Sequence, residues 1–208
     1  MRAATLGPQG TCSEEAAEAY LGRYAPLVSR SLQLFDTYEE AIDSVLEGGA
    51  DVAVVAAAYV HYNRLSFENI HCLRVRDMMA SQPQFVLAVR EDFAFLPNRT
   101  HYTVASHRSP SPLLKSVNFE FTRKEALSNS AAALMVIGGQ CDACVTNITS
   151  VDWVNNHSDP GHSLRILYRF GTIDMIWAVF EKGASADRSR SIWVSDFSQL
   201  MPGRGGVA

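Results

Sequence analysis

Residues 6–17, LGPQGTCSEEAA, predict a turn that leads from a first strand into a first helix. The glycines and the proline at the start of this stretch are typical of a tight turn. Thr11 with Glu14 three residues later is typical of a capping box, so we expect a helix over residues 13–24. A helix start presents free backbone N–H groups and the positive end of the helix dipole. The stretch therefore indicates a place that binds a carboxylate or a phosphate.

The overall composition indicates a globular protein. Of its 208 residues, 47% are hydrophobic and 19% are charged, which allows a sizeable core in one domain or two small lobes. The net charge is −4 and no basic stripe with interleaved aromatic residues is present, so we expect no nucleic acid partner. No apolar run is long enough to cross a membrane and the N terminus does not read as a secretory signal. We therefore expect a cytoplasmic protein that does not bind membranes.

The first part of the chain alternates strand and helix patterns. A second capping box, TYEE from Thr37, begins a helix predicted over residues 38–46. Residues 51–57, DVAVVAA, form an apolar run without a polar face, as expected of a strand that is buried on both sides. With a further strand at residues 31–35, this alternation predicts parallel strands and an α/β fold.

The rest of the chain predicts a second lobe of the same construction. The strands expected there lie at residues 84–90, 102–105, 119–123 and 141–146; one helix is expected to begin within the Pro-rich segment 106–117 and another to occupy 131–137. A strand at 71–76 and a crossing between lobes within 78–83 precede it, and late strands at 165–170 and 175–180 are expected to pair with the first lobe. The predicted division is residues 1–81 with 165–183 as lobe 1, residues 82–164 as lobe 2, and residues 184–208 as a flexible tail.

The four cysteines do not indicate a metal site. Cys141 and Cys144 form a CxxC, a spacing found in redox pairs and in half of a zinc site. No second CxxC exists, and CDACVTN has the small residues of a buried strand. We therefore expect two reduced core cysteines, with no bound metal or other cofactor.

Polar residues that can cap helices follow four of the predicted strands. Ligands of open α/β sheets bind beyond the carboxyl ends of strands, so we expect these groups around one crevice between the lobes. Each group alone is more typical of a simple helix cap, but four together favour a small polar or anionic ligand. The groups are Gly10, Thr11 and Ser13; Ser106 and His107; Ser128, Asn129 and Ser130; and Thr146 and Asn147.

One of the six histidines, His107, stands at a predicted strand-to-helix junction. We interpret it as a candidate proton donor or carboxylate partner, because an imidazole titrates near neutral pH. The alternative is a histidine that only bonds to a backbone carbonyl. The sequence has no P-loop, GxGxxG, GxSxG or HExxH motif that would indicate another chemistry.

Three motifs resemble the catalytic domain of prephenate dehydratases. GPQGTCSEEAA resembles the opening GPxGTFSxxAA of that family, with Cys12 where the family usually has Phe. Ser106-His107 with the Pro-rich segment after it resembles SHPxAL, and SNSAA from Ser128 resembles STAxAA. The resemblance extends to about residue 182. It implies two α/β lobes of type II periplasmic-binding-protein topology, with prephenate bound between them.

The chain departs from the dehydratase pattern at two motifs. It has AAY at residues 57–59 where dehydratases have ENS, and MIW at residues 175–177 where they have TRF. We also expect no regulatory ACT domain, because few residues follow the matched part. The Ala-Tyr pair, the Thr-Asn after the small-residue strand and the Met-x-Trp are similar to the non-aromatising prephenate decarboxylases of bacterial antibiotic and natural-product pathways.

Similarity to that branch implies decarboxylation of prephenate with retention of the ring hydroxyl. The product is a dihydro-4-hydroxyphenylpyruvate for secondary metabolism. Met175 replaces the dehydratase Thr that helps to expel the hydroxyl, and a thioether cannot donate a proton. His107, or a water that it orients, is implied as the donor of a proton to a ring carbon. A homodimer is also implied, because dehydratase domains commonly associate.

The same resemblance assigns the other site residues to the substrate. The carboxylate-binding group, through side chains and helix-start N–H groups, consists of Thr11, Ser13, Ser128 and Asn129. An apolar wall beside the ring favours departure of a neutral CO2 and consists of Tyr59, Met175 and Trp177. Periodicity alone makes the last two ordinary strand core. The expected binding site is completed by Gly10, Ser106, Thr146 and Asn147.

Two alternative functions stay open from the sequence. An ordinary prephenate dehydratase for phenylalanine synthesis is expected to have Thr-Arg-Phe near Met175, and this sequence lacks it. A catalytically inactive module that binds small carboxylates would keep the same cleft, because type II lobes are built to capture ligands.

Overall fold

The computed structural model describes residues 1–23, 29–94, 98–159 and 161–183, so the tail predicted for 184–208 lies outside the described residues. These residues form two five-stranded sheets with helices packed on them. The strands are β1 (Arg2–Leu6), β2 (Ser31–Phe35), β3 (Val52–Ala56), β4 (Leu73–Ser81), β5 (Gln84–Arg90), β6 (His101–Ser106), β7 (Glu120–Glu125), β8 (Ala143–Asn147), β9 (Leu164–Thr172) and β10 (Met175–Lys182). The helices are α1 (Cys12–Gly22), α2 (Tyr38–Glu47), α3 (Tyr62–Glu68), α4 (Asn129–Ile137) and α5 (Ile148–His157), with a 3₁₀ helix over Ser111–Ser116.

The first sheet has the strand order β2-β1-β3-β10-β4. As predicted, β1 pairs in parallel with β2 and β3, while β10 lies antiparallel between β3 and β4. Every residue of the central strand β3, VAVVA, is buried, which confirms the interpretation of this run as a strand covered on both faces.

The second sheet has the strand order β7-β6-β8-β5-β9 and repeats the first. Here β6 pairs in parallel with β7 and β8, while β5 lies antiparallel between β8 and β9. In each sheet the fourth strand, β10 or β5, enters directly from the other sheet. This arrangement confirms the predicted two-lobed α/β architecture.

Two short segments cross between the sheets side by side. Gln82-Pro83 joins β4 to β5, and Ile173-Asp174 joins β9 to β10. The side-chain amide of Gln82 donates to a carboxylate oxygen of Asp174 at 2.8 Å, and the N–H of Ile173 donates to the carbonyl of Pro83 at 3.2 Å. The crossing predicted within residues 78–83 lies at the end of that range, because β4 is longer than predicted.

The strand predicted at residues 165–170 is present as β9, but its predicted pairing with the first lobe is wrong. β9 lies at the edge of the second sheet, antiparallel to β5, with Leu164 opposite Arg90. Its apolar side chains, including Ile166 and Phe170, pack against the core of the second lobe. An apolar strand pattern indicates burial but not which sheet edge the strand joins, so the chain returns to the first sheet only with β10.

Helix starts that depend on local capping were predicted correctly. α1 begins after Thr11, α2 after Thr37 with a complete capping box, and α4 after Ser128. Helices α3 and α5 were not predicted, although α5 begins after Asn147, one of the expected capping residues. The Pro-rich segment after His107 forms only the short 3₁₀ helix.

Each lobe has its own hydrophobic core. In the first lobe α1 and α2 pack on the sheet through fully buried side chains such as Tyr20 and Ile42. In the second lobe Cys141 and Cys144 are free and buried, which confirms the prediction of two core cysteines. Within the described ranges, no helix is both long and apolar enough to cross a membrane.

Candidate active site

The turn before α1 is held by its own polar groups. The hydroxyl of Thr11 accepts from the N–H of Glu14 at 3.3 Å, as expected of an N-cap. The Glu14 carboxylate accepts from the N–H of Gly10 at 2.6 Å, one residue earlier than in a regular capping box. Gly10 has φ +75°, and a Cβ there would lie 2.6 Å from the ring of Trp153 in the other lobe. Glycine is therefore required at this close approach.

Ser13 faces a tyrosine that the sequence did not reveal as part of the site. Its hydroxyl lies 2.9 Å from the hydroxyl of Tyr38, the first residue of α2, and both side chains are buried. Burial raises the pKa of Tyr38 to about 12, so this phenol keeps its proton at neutral pH. A signal for Tyr38 was its position directly after the cap Thr37, where a large side chain can pack back onto the neighbouring helix.

Tyr59, predicted as part of the ring wall, lies beside Tyr38. The two rings meet edge to face with centroids 4.9 Å apart. The Tyr59 hydroxyl donates to both carboxylate oxygens of Glu39, at 2.9 and 3.1 Å. Burial and the neighbouring Glu39 raise the pKa of Tyr59 to about 12. The first lobe therefore presents three linked polar side chains, those of Ser13, Tyr38 and Tyr59, with protonated phenols at neutral pH.

In the second lobe, the start of α4 is joined to the end of β8. The hydroxyl of Ser128 caps α4 by accepting from the N–H of Ala131 at 3.0 Å. The hydroxyl of Thr146 donates to the carbonyl of Asn129 at 2.8 Å. The side-chain oxygen Oδ1 of Asn129 is buried and has no hydrogen-bond partner among the described residues. A buried polar atom without a partner is costly, so this amide is suited to a ligand group.

The two lobes meet where α1 and α5 begin. The Nδ2 of Asn147 donates to the Sγ of Cys12 at 2.7 Å, and its Oδ1 accepts from the N–H of Ser150 at 2.8 Å. Burial, together with the charge of Glu15, raises the pKa of Cys12 to about 12, so the thiol is neutral. Cys12, at a position that is usually Phe in dehydratases, therefore contacts the other lobe through Asn147. Ser150 was not predicted, although it stands at the third helical position after its cap, where cap partners occur.

Ser106 and His107 stand at the end of β6, beside β8. Ser106 pairs with Val145, and its hydroxyl donates to the carbonyl of His107 at 2.8 Å. The Nδ1 of His107 accepts from the N–H of Ser109 at 3.3 Å, so the proton of the neutral ring is on Nε2. Burial lowers the pKa of His107; the charge of Glu125 opposes this shift and that of Arg123 adds to it.

His107 is thus a neutral imidazole at physiological pH, and its Nε2–H has no hydrogen-bond partner in the part of the chain that the structure describes. The hydrogen bonds of the described residues do not join it to the α1 and α5 starts, so the structure brings three of the four predicted polar groups into one network and leaves His107 beside it.

The two motifs that depart from dehydratases are adjacent. The N–H of Ala57 donates to the carbonyl of Ile176 at 2.8 Å, and Trp177 pairs with Ala56, so the two motifs meet where β3 ends and β10 begins. Met175 is half-buried at the start of β10. Trp177 is only 1% exposed, and its indole N–H donates to the hydroxyl of Ser81 at 2.9 Å. This burial favours strand core as the role of Trp177, and its contact with the ring stays a prediction.

The described residues contain no group of three or more His, Cys, Asp or Glu side chains that could hold a metal ion. Apart from the Cys12 thiol and the Glu14 and Glu39 carboxylates, the groups that approach each other at this site are hydroxyls, amides, phenols and helix-start N–H groups. Such groups bind anions by hydrogen bonds and do not form the ligand set of a transition metal.

Two α/β lobes joined by paired crossing segments, with helix starts facing each other between the lobes, define a type II periplasmic-binding-protein-like domain. Prephenate dehydratase from Arthrobacter aurescens, solved in complex with L-Phe, has this fold, with a TM-score of 0.64 at 17% identity over 88% of this chain. The chain spans 61% of the length of that dehydratase. A double-mutant VFT2 domain of Bordetella pertussis BvgS has a TM-score of 0.54 at 22% identity, covering 88% of this chain and 80% of the domain.

Similarity to proteins of known sequence shows which family within this fold class the chain belongs to. No protein-family model matches the chain. The prephenate decarboxylase of Bacillus amyloliquefaciens is 32% identical over 197 residues, which cover 89% of this chain and 88% of that protein. The prephenate decarboxylase of Planktothrix agardhii (strain NIVA-CYA 126/8) is 28% identical over 196 residues, which cover 88% of this chain and 89% of that protein. The chain belongs to the prephenate decarboxylase family, a family of carboxy-lyases, as its AAY and MIW motifs indicated.

Proposed function

We propose that the chain catalyses the non-aromatising decarboxylation of prephenate. The bond between the ring and its carboxylate breaks, CO2 leaves, and the electron pair moves into the ring. A ring carbon takes up one proton and the ring hydroxyl is retained, which gives a dihydro-4-hydroxyphenylpyruvate. One observation carries this proposal. The first residues of α1 and α5 come into contact through Cys12 and Asn147, and Thr146 beside them bonds to the start of α4. Relatives named prephenate decarboxylase over nearly the whole chain support it.

The facing helix starts support binding of a substrate with two carboxylates. The first turns of α1 and α4 each offer N–H groups and the positive end of a helix dipole. Thr11 and Ser13 would bind one carboxylate in the first lobe, and Ser128 and Asn129 the other in the second. If the Asn129 amide is turned so that Nδ2 takes the place of its unpartnered oxygen, it donates directly to a carboxylate oxygen.

The side chains near β10 support retention of the ring hydroxyl. Aromatisation requires the hydroxyl to leave as water, and this needs a proton donor at the hydroxyl. Met175 cannot donate a proton, and it begins β10, whose next residue, Ile176, bonds to Ala57. With that route closed, the electrons released by CO2 loss are quenched at a ring carbon. The neutral His107 with its proton on Nε2 is our candidate for that step, directly or through a water.

An NMR time course of the purified protein with prephenate tests the proposed reaction. A control without enzyme is necessary because prephenate decays by itself. We expect vinyl and carbinol ring signals to persist after enzyme-dependent CO2 release. Aromatic phenylpyruvate signals would instead identify a dehydratase, and a rate equal to the control would leave a carboxylate-binding module.

Several properties stay predictions from the sequence. They are a cytoplasmic location, a homodimer, and a product used for antibiotics or non-proteinogenic amino acids. We also propose that no metal or organic cofactor takes part, so dialysis against a chelator should leave turnover unchanged. Size-exclusion chromatography with light scattering measures the oligomeric state.

A further inference from the structure

Helix α5 contacts the start of α1 through three polar side chains, one from its N-cap and two from its first turn. The Ser150 hydroxyl donates to the carbonyl of Gly10 at 2.6 Å. The Thr149 hydroxyl donates to the Glu15 carboxylate at 2.7 Å, and Asn147 bonds to Cys12 as described above. The partners belong to different lobes and are more than 130 positions apart in the chain. This set of contacts therefore holds the two lobes together next to the candidate site.

Ser150 has a special place in this set, because it is fully buried and joins both sides of the contact. Its hydroxyl fixes the carbonyl of Gly10, directly before the cap Thr11, while its N–H fixes the Oδ1 of Asn147. Once Oδ1 points at Ser150, the Nδ2 of the same amide must point the other way, towards Cys12. One residue thus sets the position of the α1 turn and the orientation of the Asn147 amide.

A second contact, between Trp153 and Gly10, adds to the hydrogen bond of the Ser150 hydroxyl. The ring of Trp153, one turn further along α5, lies 2.6 Å from the position that a Cβ of Gly10 would take. The α1 turn is therefore pinned to α5 by a buried hydrogen bond on one side and by a close ring contact on the other. A turn held this way keeps the first N–H groups of α1 at a set distance from the helix starts of the second lobe.

Building on the proposed function, we propose that Ser150 is a positioning residue for carboxylate binding. It does not touch the substrate. It holds the α1 turn of the first lobe against α5 of the second, so that the helix-start N–H groups of both lobes are in place before prephenate binds. Such preorganisation lowers the cost of binding.

Hydrogen–deuterium exchange of the substrate-free protein tests the link between lobes. In Ser150→Ala we expect amides of residues 10–16, in the other lobe, to exchange about tenfold faster, because a buried hydrogen bond between the lobes is lost. Ser66→Ala is the matched control, since the Ser66 hydroxyl also donates to a backbone carbonyl, that of Tyr62, but within α3. Exchange that changes only within α5, or equally in the control, would overturn the proposal.

Kinetics with prephenate provide the second readout. Ser150→Ala is expected to raise KM about fivefold with kcat within about twofold, if the α1 turn binds the pyruvyl carboxylate, because that group keeps its charge throughout the reaction and its contacts act in the ground state and the transition state alike. Ser150→Cys fills nearly the same space and donates weakly, so it guards against a folding failure and should give a smaller effect in the same direction. A fall in kcat with unchanged KM would contradict positioning for binding. The exchange result needs no substrate, so it separates failure of this inference from failure of the proposed reaction.

Discussion

The side chain at position 175 is where this chain differs chemically from a dehydratase. Met175→Thr restores a hydroxyl at the start of β10, but we do not expect one change to restore aromatisation. We expect formation of the non-aromatic product to fall about tenfold, because the apolar surface beside the departing carboxylate is lost. Product ratios by NMR provide the measurement. Met78→Thr, an exposed methionine on β4, is the control, and equal kinetics and product ratio in the two variants would remove Met175 from the ring wall.

The buried hydroxyl of Tyr38 is expected to contribute both to stability and to activity. Tyr38→Phe leaves the hydroxyl of Ser13 without its partner 2.9 Å away, inside a buried site. We expect a loss of about 1 kcal/mol in the free energy of unfolding and a fivefold to tenfold fall, roughly, in kcat/KM. Urea denaturation and steady-state kinetics measure the two effects. Tyr168→Phe, on an exposed ring of β9, should change neither, and a Tyr38 variant as active as wild type would leave the phenol without a role.

His107 makes stability depend on pH in a definite direction. Burial holds its pKa below 6.5, so the unfolded chain binds a proton more readily than the folded protein as pH falls. Its contribution to stability is therefore present above pH 6.5 and is lost as pH falls from there to the folded pKa. The urea midpoint of the wild type should drop more between pH 7.5 and 5.5 than that of His107→Asn. Equal drops would show that the imidazole is not buried as described.

The same variant tests the proton donor. If the Nε2–H of His107 supplies the proton to the ring carbon, His107→Asn loses at least about 100-fold in kcat, the usual scale of general acid catalysis. Unimpaired turnover would exclude His107 and leave the protonated phenols of Tyr38 and Tyr59 as the next candidates.

Among single residues, the helix N-caps were predictable from the sequence, whereas contacts between residues far apart in the chain were not. Thr11 and Ser128 were identified because a cap oxygen reaches a backbone N–H only three residues away, a contact that sequence spacing records. Tyr38 was missed because its bond to Ser13 joins residues 25 apart and exists only when α1 packs against α2. Trp177 was assigned to the ring wall from a motif alone, and the structure buries it.

At the scale of elements, the start of α1 depends on a close contact with α5. Gly10→Ala places a Cβ 2.6 Å from the Trp153 ring at a residue with φ +75°. Gly139→Ala is the matched control, since Gly139 has φ +69° but nothing lies within 4 Å of its Cβ position. We expect about 1 kcal/mol of destabilisation in the control from backbone strain, and about 2–4 kcal/mol at Gly10 from strain and overpacking together. Chemical denaturation gives both values, and equal losses would mean that Trp153 moves away freely.

Element identity was predictable where local signals agree. Strand β3 and helix α2 combine a clear hydrophobic pattern with clear caps, and both were predicted. Helix α5 was missed because ITSVDWVNNH contains several β-branched residues, which lower helix propensity, and its packing on the second sheet compensates. The pairing of β9 was wrong because register and sheet edge depend on contacts far away in the sequence.

For the whole molecule, the alternation of strands and helices predicted two lobes but not how they face each other. The paired crossings at Gln82-Pro83 and Ile173-Asp174 and the contact between α1 and α5 all join distant parts of the chain. They bring helix starts of both lobes together in one region, although the net charge of the protein is −4. Local dipoles and N–H groups, rather than net charge, therefore suit this space to an anion.

If the substrate contacts both lobes, removal of the N-cap side chain of α1 or of α4 should weaken substrate binding. Thr11→Val in the first lobe and Ser128→Ala in the second are each expected to raise the KM for prephenate about fivefold, because each weakens one of two carboxylate contacts. Phenylpyruvate has a single carboxylate, so as a competitive inhibitor it should bind more weakly to only one of the two variants. Steady-state kinetics measure both constants. If one variant alone raised the KM for prephenate, both carboxylates would not span the lobes, and the facing helix starts would serve to hold the lobes together instead.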